Sequence, residues 1–350
     1  MGNINMGARY AIEEYLNINP KHRVVIITDR KSGRIAKNLL DESKKITYDV
    51  NCFFMEDYCT GKRRKFPSKI TDLFQDPEQK VASFYLLADT QERYSKKYEL
   101  INMGDPVSEL LDKEHPRNIK HVCMNGISGR IMREGMCVPK DIIKKYSNLV
   151  FKRVKGAKKI ELYSPGGTEL EMKLDPRRVE WSKEDHVDYG VWENLPLGEV
   201  YSSPVDCNGK LVIDCMIGGY EKEYGFGFLK RYPITFNIEK GEVRSMSCKR
   251  ATHLISMLED DLNADESANY VGEIGFGTNF WINKLIGNML QDEKFPGVHI
   301  GLGSSMPDCG DDWRSSNHLD MIMLQPYVFV DNKPLIEKGG YVFKNGNFFR

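Results

Sequence analysis

Five side chains in the C-terminal half have the types and settings from which a cation site is built. His318-Leu319-Asp320 lies in Ser315-Ser316-Asn317-His318-Leu319-Asp320-Met321-Ile322-Met323, whose alternation predicts a strand. On a strand, residues two apart point to the same side, so this imidazole and this carboxylate can face one ion together. His299 stands in Gly297-Val298-His299-Ile300-Gly301-Leu302-Gly303, and Glu273 in Val271-Gly272-Glu273-Ile274-Gly275-Phe276-Gly277-Thr278-Asn279. Glu199 follows Asn194-Leu195-Pro196-Leu197-Gly198 and precedes Val200-Tyr201-Ser202-Ser203-Pro204. Each is an ionisable residue among apolar and glycine neighbours, where an isolated charge is costly to bury.

Taken singly, each has a plainer reading. A lone histidine in an apolar strand is more often a hydrogen-bonded core residue than a ligand. A lone glutamate there is more often the partner of a basic side chain. Together, three carboxylates and two imidazoles on glycine-flanked strand ends form the inventory of a site for one or two divalent cations. His22, His115 and His186 have charged neighbours and read as solvated loop residues, and His253 lies in a helix-like segment.

The elements that must position these residues follow from the hydrophobic pattern. The first third alternates strand and helix. Val24 to Asp29 is an apolar run, followed over Ser32 to Lys45 by Ile35, Ala36, Leu39 and Leu40 at helical spacing. Further strands are expected at Thr47 to Phe54, Val81 to Leu87 and Ile119 to Met124, with helices at Pro67 to Phe74, Gln91 to Asn102 and Lys140 to Tyr146. Repeated β-α units imply a mostly parallel, helix-covered sheet. Asp29-Arg30-Lys31-Ser32-Gly33 lacks the glycine spacing that lets backbone approach a pyrophosphate, so this loop reads as structural.

From about Leu149 the pattern changes to short strands and turns. Lys159 to Tyr163 and Thr168 to Leu174 form a hairpin around Pro165-Gly166-Gly167, whose glycines supply positive φ. Leu211 to Cys215, Pro233 to Ile238 and Glu242 to Ser247 are further strands, with turns at Gly209 and Lys240-Gly241. Helices return at Ala251 to Asp260 and Thr278 to Leu290. The expected fold class is α/β: an N-terminal parallel-sheet domain over residues 1–150, then a mixed α+β, β-rich metal-binding domain over 151–350.

Composition narrows the function classes. Fifty Lys plus Arg balance fifty Asp plus Glu, so no net field attracts nucleic acid or anionic lipid, and neither is expected as a partner. There is no signal-like apolar core at the N-terminus and no apolar run near the roughly 18 residues of a membrane span, so a cytoplasmic protein is expected. The eight cysteines (52, 59, 123, 137, 207, 215, 248 and 309) form no Cys-x-x-Cys pair and read as reduced, mostly buried thiols.

The segments 194–204, 272–279, 299–303 and 318–320, in this order, resemble the motifs of the thermophilic metallo-aminopeptidase family, aminopeptidases T and S. The hairpin Ser164-Pro165-Gly166-Gly167-Thr168 and the β-α N-terminal part also resemble that family, so the likeness covers most of the chain. It implies a homodimer of two-domain subunits hydrolysing the N-terminal bond of a peptide or small amide. The water would be activated by two divalent ions, zinc, cobalt, manganese or magnesium. Carried over by position, Glu199, Glu273, His299, His318 and Asp320 are the implied ligands, with Glu199 or Glu273 as proton carrier.

One position departs from the family. Its tyrosine ligand, seven residues after the histidine of His-Ile-Gly-Leu-Gly, is replaced by Met306, a soft thioether poorly suited to a hard dication. A second reading therefore stands beside the first: another metalloenzyme on the same scaffold, either a non-peptide amide hydrolase or a mononuclear iron ring-cleaving enzyme like 2,5-dihydroxypyridine dioxygenase. That enzyme would carry histidine at the place of Glu273 and no counterparts of Glu199 and His299, both of which this chain has.

Overall fold

The computed structural model describes residues 2–58, 66–88, 105–220, 224, 227–311 and 313–343, and the backbone of 347–349. The chain forms two compact units, one of Met1–Lys144 with Glu184–Leu197, the other of Lys145–Lys183 with Gly198–Arg350. The division after Lys144 lies close to the pattern change in the sequence, but 184–197 returns to the first unit, which a single linear boundary does not describe.

The first unit is built on strands β1 (His22–Thr28), β2 (Val50–Phe54), β3 (Lys80–Leu86), β4 (Ile119–Cys123) and β8 (Trp192–Asn194), all parallel, in the order β2-β1-β3-β4-β8. Val24 to Ile27 are fully buried, as a continuous apolar run must be when helices cover both faces of a parallel sheet. Helices α2 (Gly33–Ser43), α3 (Ser68–Thr71) and α4 (Pro106–Glu114) supply the covering residues Ile35, Ala36, Leu39, Ile70, Val107 and Leu111. The loop after β1 is structural, because the Asp29 carboxylate accepts the N–H groups of Ser32 at 2.7 Å and Ala88 at 2.7 Å.

Several expectations need correction. The chain opens with a helix over Ile4–Arg9 (α1) and a wider-wound turn over Tyr10–Tyr15, neither of which the pattern reading anticipates. His22 is buried, 2.7 Å from the Tyr189 hydroxyl, because β1 begins there. Thr47 lies before the strand, and its hydroxyl donates to His22 O instead of its backbone joining the ladder. The helix α5 continues from Lys140 to Val154, carrying its apolar stripe past Tyr146. The helix expected at Gln91–Asn102 lies outside the described residues.

The second unit has two antiparallel sheets. The larger contains β5 (Lys159–Tyr163), β6 (Glu169–Lys173), β10 (Asp206–Ile213), β12 (Ile234–Glu239), β13 (Glu242–Ser247), β17 (Tyr327–Val330), β18 (Lys333–Glu337), β19 (Gly340–Phe343) and β20 (Asn347–Phe349). The smaller runs in the order β11 (Met216–Ile217), β16 (His318–Ile322), β15 (Gly297–Gly303), β14 (Val271–Gly277), β9 (Glu199–Ser202), β7 (Ser182–Glu184). One apolar core joins residues of both sheets, such as Ile160, Leu211, Ile274 and Ile300, with Leu254 and Leu258 of helix α7 (Thr252–Leu262).

The expected hairpin is β5–β6, and Lys240-Gly241 turns with φ of 54° and 81°. Gly209 is no turn but the middle of β10, with φ 130° and a position where a Cβ would lie 2.2 Å from Glu169 O. The helix expected over Thr278–Leu290 is mostly irregular, and only Met289–Asp292 (α8) is helical. The Asp292 carboxylate accepts the N–H groups of Ile286, Gly287 and Asn288, an arrangement that competes with helical pairing there.

A carboxylate and imidazole centre on the smaller sheet

The register of the smaller sheet brings the five sequence-derived residues to one centre. Gly277 faces Glu199, Gly275 faces His299, Glu273 faces Gly301, and Gly301 faces Asp320, with Gly303 opposite His318. By strand alternation, all five side chains and the glycines opposite them share one face. Those glycines make the room. A Cβ on Gly275 would lie 2.0 Å from His299 Nε2 and 2.5 Å from Glu199 Oε1, and one on Gly301 would lie 2.9 Å from Glu273 Cβ.

The side chains form two overlapping groups, Glu199-Glu273-His299 and Glu273-His318-Asp320. His299 Nε2 is 2.6 Å from Glu199 Oε1 and 3.4 Å from Glu273 Oε1. His318 Nε2 is 2.9 Å from Glu273 Oε2 and 3.3 Å from Asp320 Oδ1. Glu273 therefore turns one oxygen toward each group. Glu199 Oε1 and Asp320 Oδ1 are buried without a well-formed hydrogen bond, although an imidazole nitrogen approaches each. Close approach without that geometry is what oxygens aimed at a common point show. Hard oxygens with borderline imidazoles suit divalent cations such as zinc, cobalt or manganese, so the residues present fit a metal.

Burial alone would raise Glu199 and Glu273 and lower the two imidazoles, but the opposite charges win. Against burial, Lys294 and His299 hold Glu199 down at about 2. His299 and His318 likewise keep Glu273 below the usual carboxylate range. Burial pulls both imidazoles down, yet Glu199 with Glu273 holds His299 well above its ordinary value, and Asp320 with Glu273 does the same for His318.

Pattern reading missed Glu293 and Lys294, which lie in the irregular stretch leading to β15. Lys294 is 1% exposed, pairs with Glu199 Oε2, and reaches Glu293 Oε1 at 3.0 Å. Burial pushes Glu293 up to about 8 despite Lys294, with Asp320 and Glu199 adding to the rise. A Lys followed by β-strand apolar residues gives no signal of this kind, because only the fold carries it over Gly277. There a Cβ would meet Phe295 O at 2.0 Å. Replacing Lys294 with Ala strands the buried Glu199 carboxylate, so metal-free Lys294→Ala should lose about 3–5 kcal/mol of stability in urea unfolding at pH 7. An unchanged unfolding midpoint would show that Lys294 does not neutralise it.

The approach to β16 is tied by Asp265. Its Oδ2 accepts from Ser315 Oγ at 3.0 Å, Ser316 N at 2.6 Å and Ser316 Oγ at 2.7 Å. Those bonds, led by the Ser316 N–H, bring its carboxyl from 3.8 to about 2. The folded value is depressed, so its stabilising contribution is complete above about pH 4 and fades as pH falls through 2. Asp265→Ala should unfold at lower temperature than the unsubstituted chain at pH 6, with the gap closing toward pH 2. A gap independent of pH would refute this account.

The fold and this donor set define a metal-dependent enzyme. The chain belongs to the thermophilic metalloprotease family (M29), whose model matches residues 150–348, and it is a metal-dependent peptidase. In fold it is similar to wild-type AmpT from Thermus thermophilus, with a TM-score of 0.71, 13% identity, and coverage of 97% of this chain and 99% of that one. It is likewise similar to 2,5-dihydroxypyridine dioxygenase from Pseudomonas putida KT2440, with a TM-score of 0.66, 13% identity, and coverage of 98% of each chain. No curated protein sequence matches the chain. The parallel sheet with helices and the antiparallel sheets agree with the expected α/β class. Among the described residues, no helix is long and apolar enough to cross a membrane.

Proposed function

We propose that the chain is an aminopeptidase with a dinuclear centre, in which Glu199, Glu273 and His299 hold one divalent ion and Glu273, His318 and Asp320 the other. The observation that carries this reading is the placement of Glu273, whose two carboxylate oxygens face different histidines on neighbouring strands. When bound, the ions would lower the pKa of a shared water toward about 7 and polarise the scissile carbonyl. Glu273 is committed to both groups and Glu199 to one of them, with Lys294 on Oε2 keeping Glu199 ionised.

Met306, at the place of the family's tyrosine, donates its N–H to Ser203 Oγ at 2.9 Å. Leucine p-nitroanilide and an N-acetylated counterpart, assayed after reconstitution with cobalt, zinc or manganese, test the reading. Release of nitroaniline from the free-amine substrate alone is expected, with metal saturating at about two ions per centre. Oxygen uptake on a dihydroxypyridine with iron, without peptide cleavage, would favour the ring-cleaving reading instead.

A further inference from the structure

We propose that Asp105, His121 and Cys123 form a second metal site, in the N-terminal unit, for a thiophilic divalent cation such as zinc. His121-Val122-Cys123 has the same two-residue period as His318-Leu319-Asp320, so an imidazole and a thiol leave β4 on one side. Asp105, at the N-terminus of α4, meets them there. Its Oδ2 lies 2.6 Å from His121 Nε2 and 3.2 Å from Cys123 Sγ, and that sulfur lies 3.6 Å from His121 Nε2. An ion bound tetrahedrally at about 2.0–2.3 Å from each donor separates its ligand atoms by about 3.3–3.6 Å, so the His121–Cys123 edge already fits, the Asp105–Cys123 edge widens slightly and the Asp105–His121 edge widens most.

The surroundings are built as a metal site requires. His121 Nδ1 shares a hydrogen bond with Ser83 Oγ at 2.7 Å, which leaves Nε2 directed at the other two donors. Ser108 Oγ donates to Asp105 Oδ2 at 2.9 Å and lies 3.5 Å from Cys123 Sγ. The His121 side chain is fully buried and that of Asp105 is 10% exposed. Cys123 ends a parallel strand, and in open α/β sheets ligands collect outside the carboxyl ends of the strands. Ser83, His121 and Asp105 also have the connectivity of a hydrolase triad, but Ser83 is fully buried within β3, where no substrate carbonyl reaches it. Cation binding would release the Cys123 thiol proton and any proton shared by His121 and Asp105.

This inference does not depend on the proposed dinuclear centre, and its test removes that centre first. In full-length protein carrying His299→Ala and His318→Ala, which takes the imidazole from each group of that centre, cobalt titration should give about one thiolate-ligated equivalent per chain, seen as sulfur-to-cobalt charge-transfer absorption. Adding Cys123→Ser should abolish the band, while Cys309→Ser should leave it. Ser83→Ala should weaken cobalt binding by about 10–100-fold. Absence of the band in the double variant overturns the site, as does its survival in Cys123→Ser. Should Cys123→Ser fail to fold, unchanged cobalt affinity in Ser83→Ala overturns it equally.

Discussion

Replacing His318 with Ala is expected to lower kcat/KM for peptide hydrolysis on the order of a thousandfold or more. The chain should still fold. The imidazole lies at the first residue of β16 with 34% of its side chain exposed, so its loss leaves little unfilled core. What disappears is the one nitrogen donor of the group it forms with Glu273 and Asp320. Metal bound per chain should fall together with activity, while circular dichroism and the unfolding transition stay near those of the unsubstituted chain. Retained turnover with His318→Ala would dismiss this histidine as a ligand, and with it the proposed second ion. Loss of activity at full metal content would instead place His318 against the substrate.

Gly275→Ala tests the same centre from the sheet beneath it. Its added methyl would fall 2.0 Å from His299 Nε2, 2.3 Å from His299 Cε1 and 2.5 Å from Glu199 Oε1, separations that no pair of unbonded atoms tolerates. The atoms displaced are the ends of two side chains and not backbone, so β14 should keep its pairing with β9 and β15. The expected outcome is a folded chain with metal affinity and kcat/KM each reduced by about a hundredfold or more, from a shift of about 1 Å in the donor atoms. Stability should fall by about 1–3 kcal/mol from overpacking. Gly297→Ala is the control, since the nearest atom to its Cβ would be Phe295 O at 3.7 Å, in the same strand as His299. Equal activity in the two variants would mean that the glycine-lined face is not what gives the donors their room.

Much of this centre was legible in the residues alone. His318-Leu319-Asp320 announces itself because the strand period is two, which fixes the relation between neighbours without any knowledge of the fold. The parallel sheet of the first unit was legible for a similar reason, as Val24 to Ile27 have no polar residue to offer water. The expected helix over Thr278–Leu290 failed because side-chain capture of backbone N–H groups by Asp292 is a contact that apolar spacing does not encode. His121 was passed over although His121-Val122-Cys123 repeats the same alternation. Its third partner, Asp105, comes from a different element 16 residues earlier in the chain.

The sequence by itself determined the donor inventory, three carboxylates and two imidazoles in apolar, glycine-rich strands. Tertiary structure alone decided how those donors are grouped. Glu273 joins two sets because antiparallel register places β15 beside it and β16 one strand further on. Lys294 neutralises Glu199 because a loop crosses over Gly277, where only a hydrogen leaves space. Pairing register and loop path arise from interactions summed over many residues, and the local periodicity of any one segment carries neither.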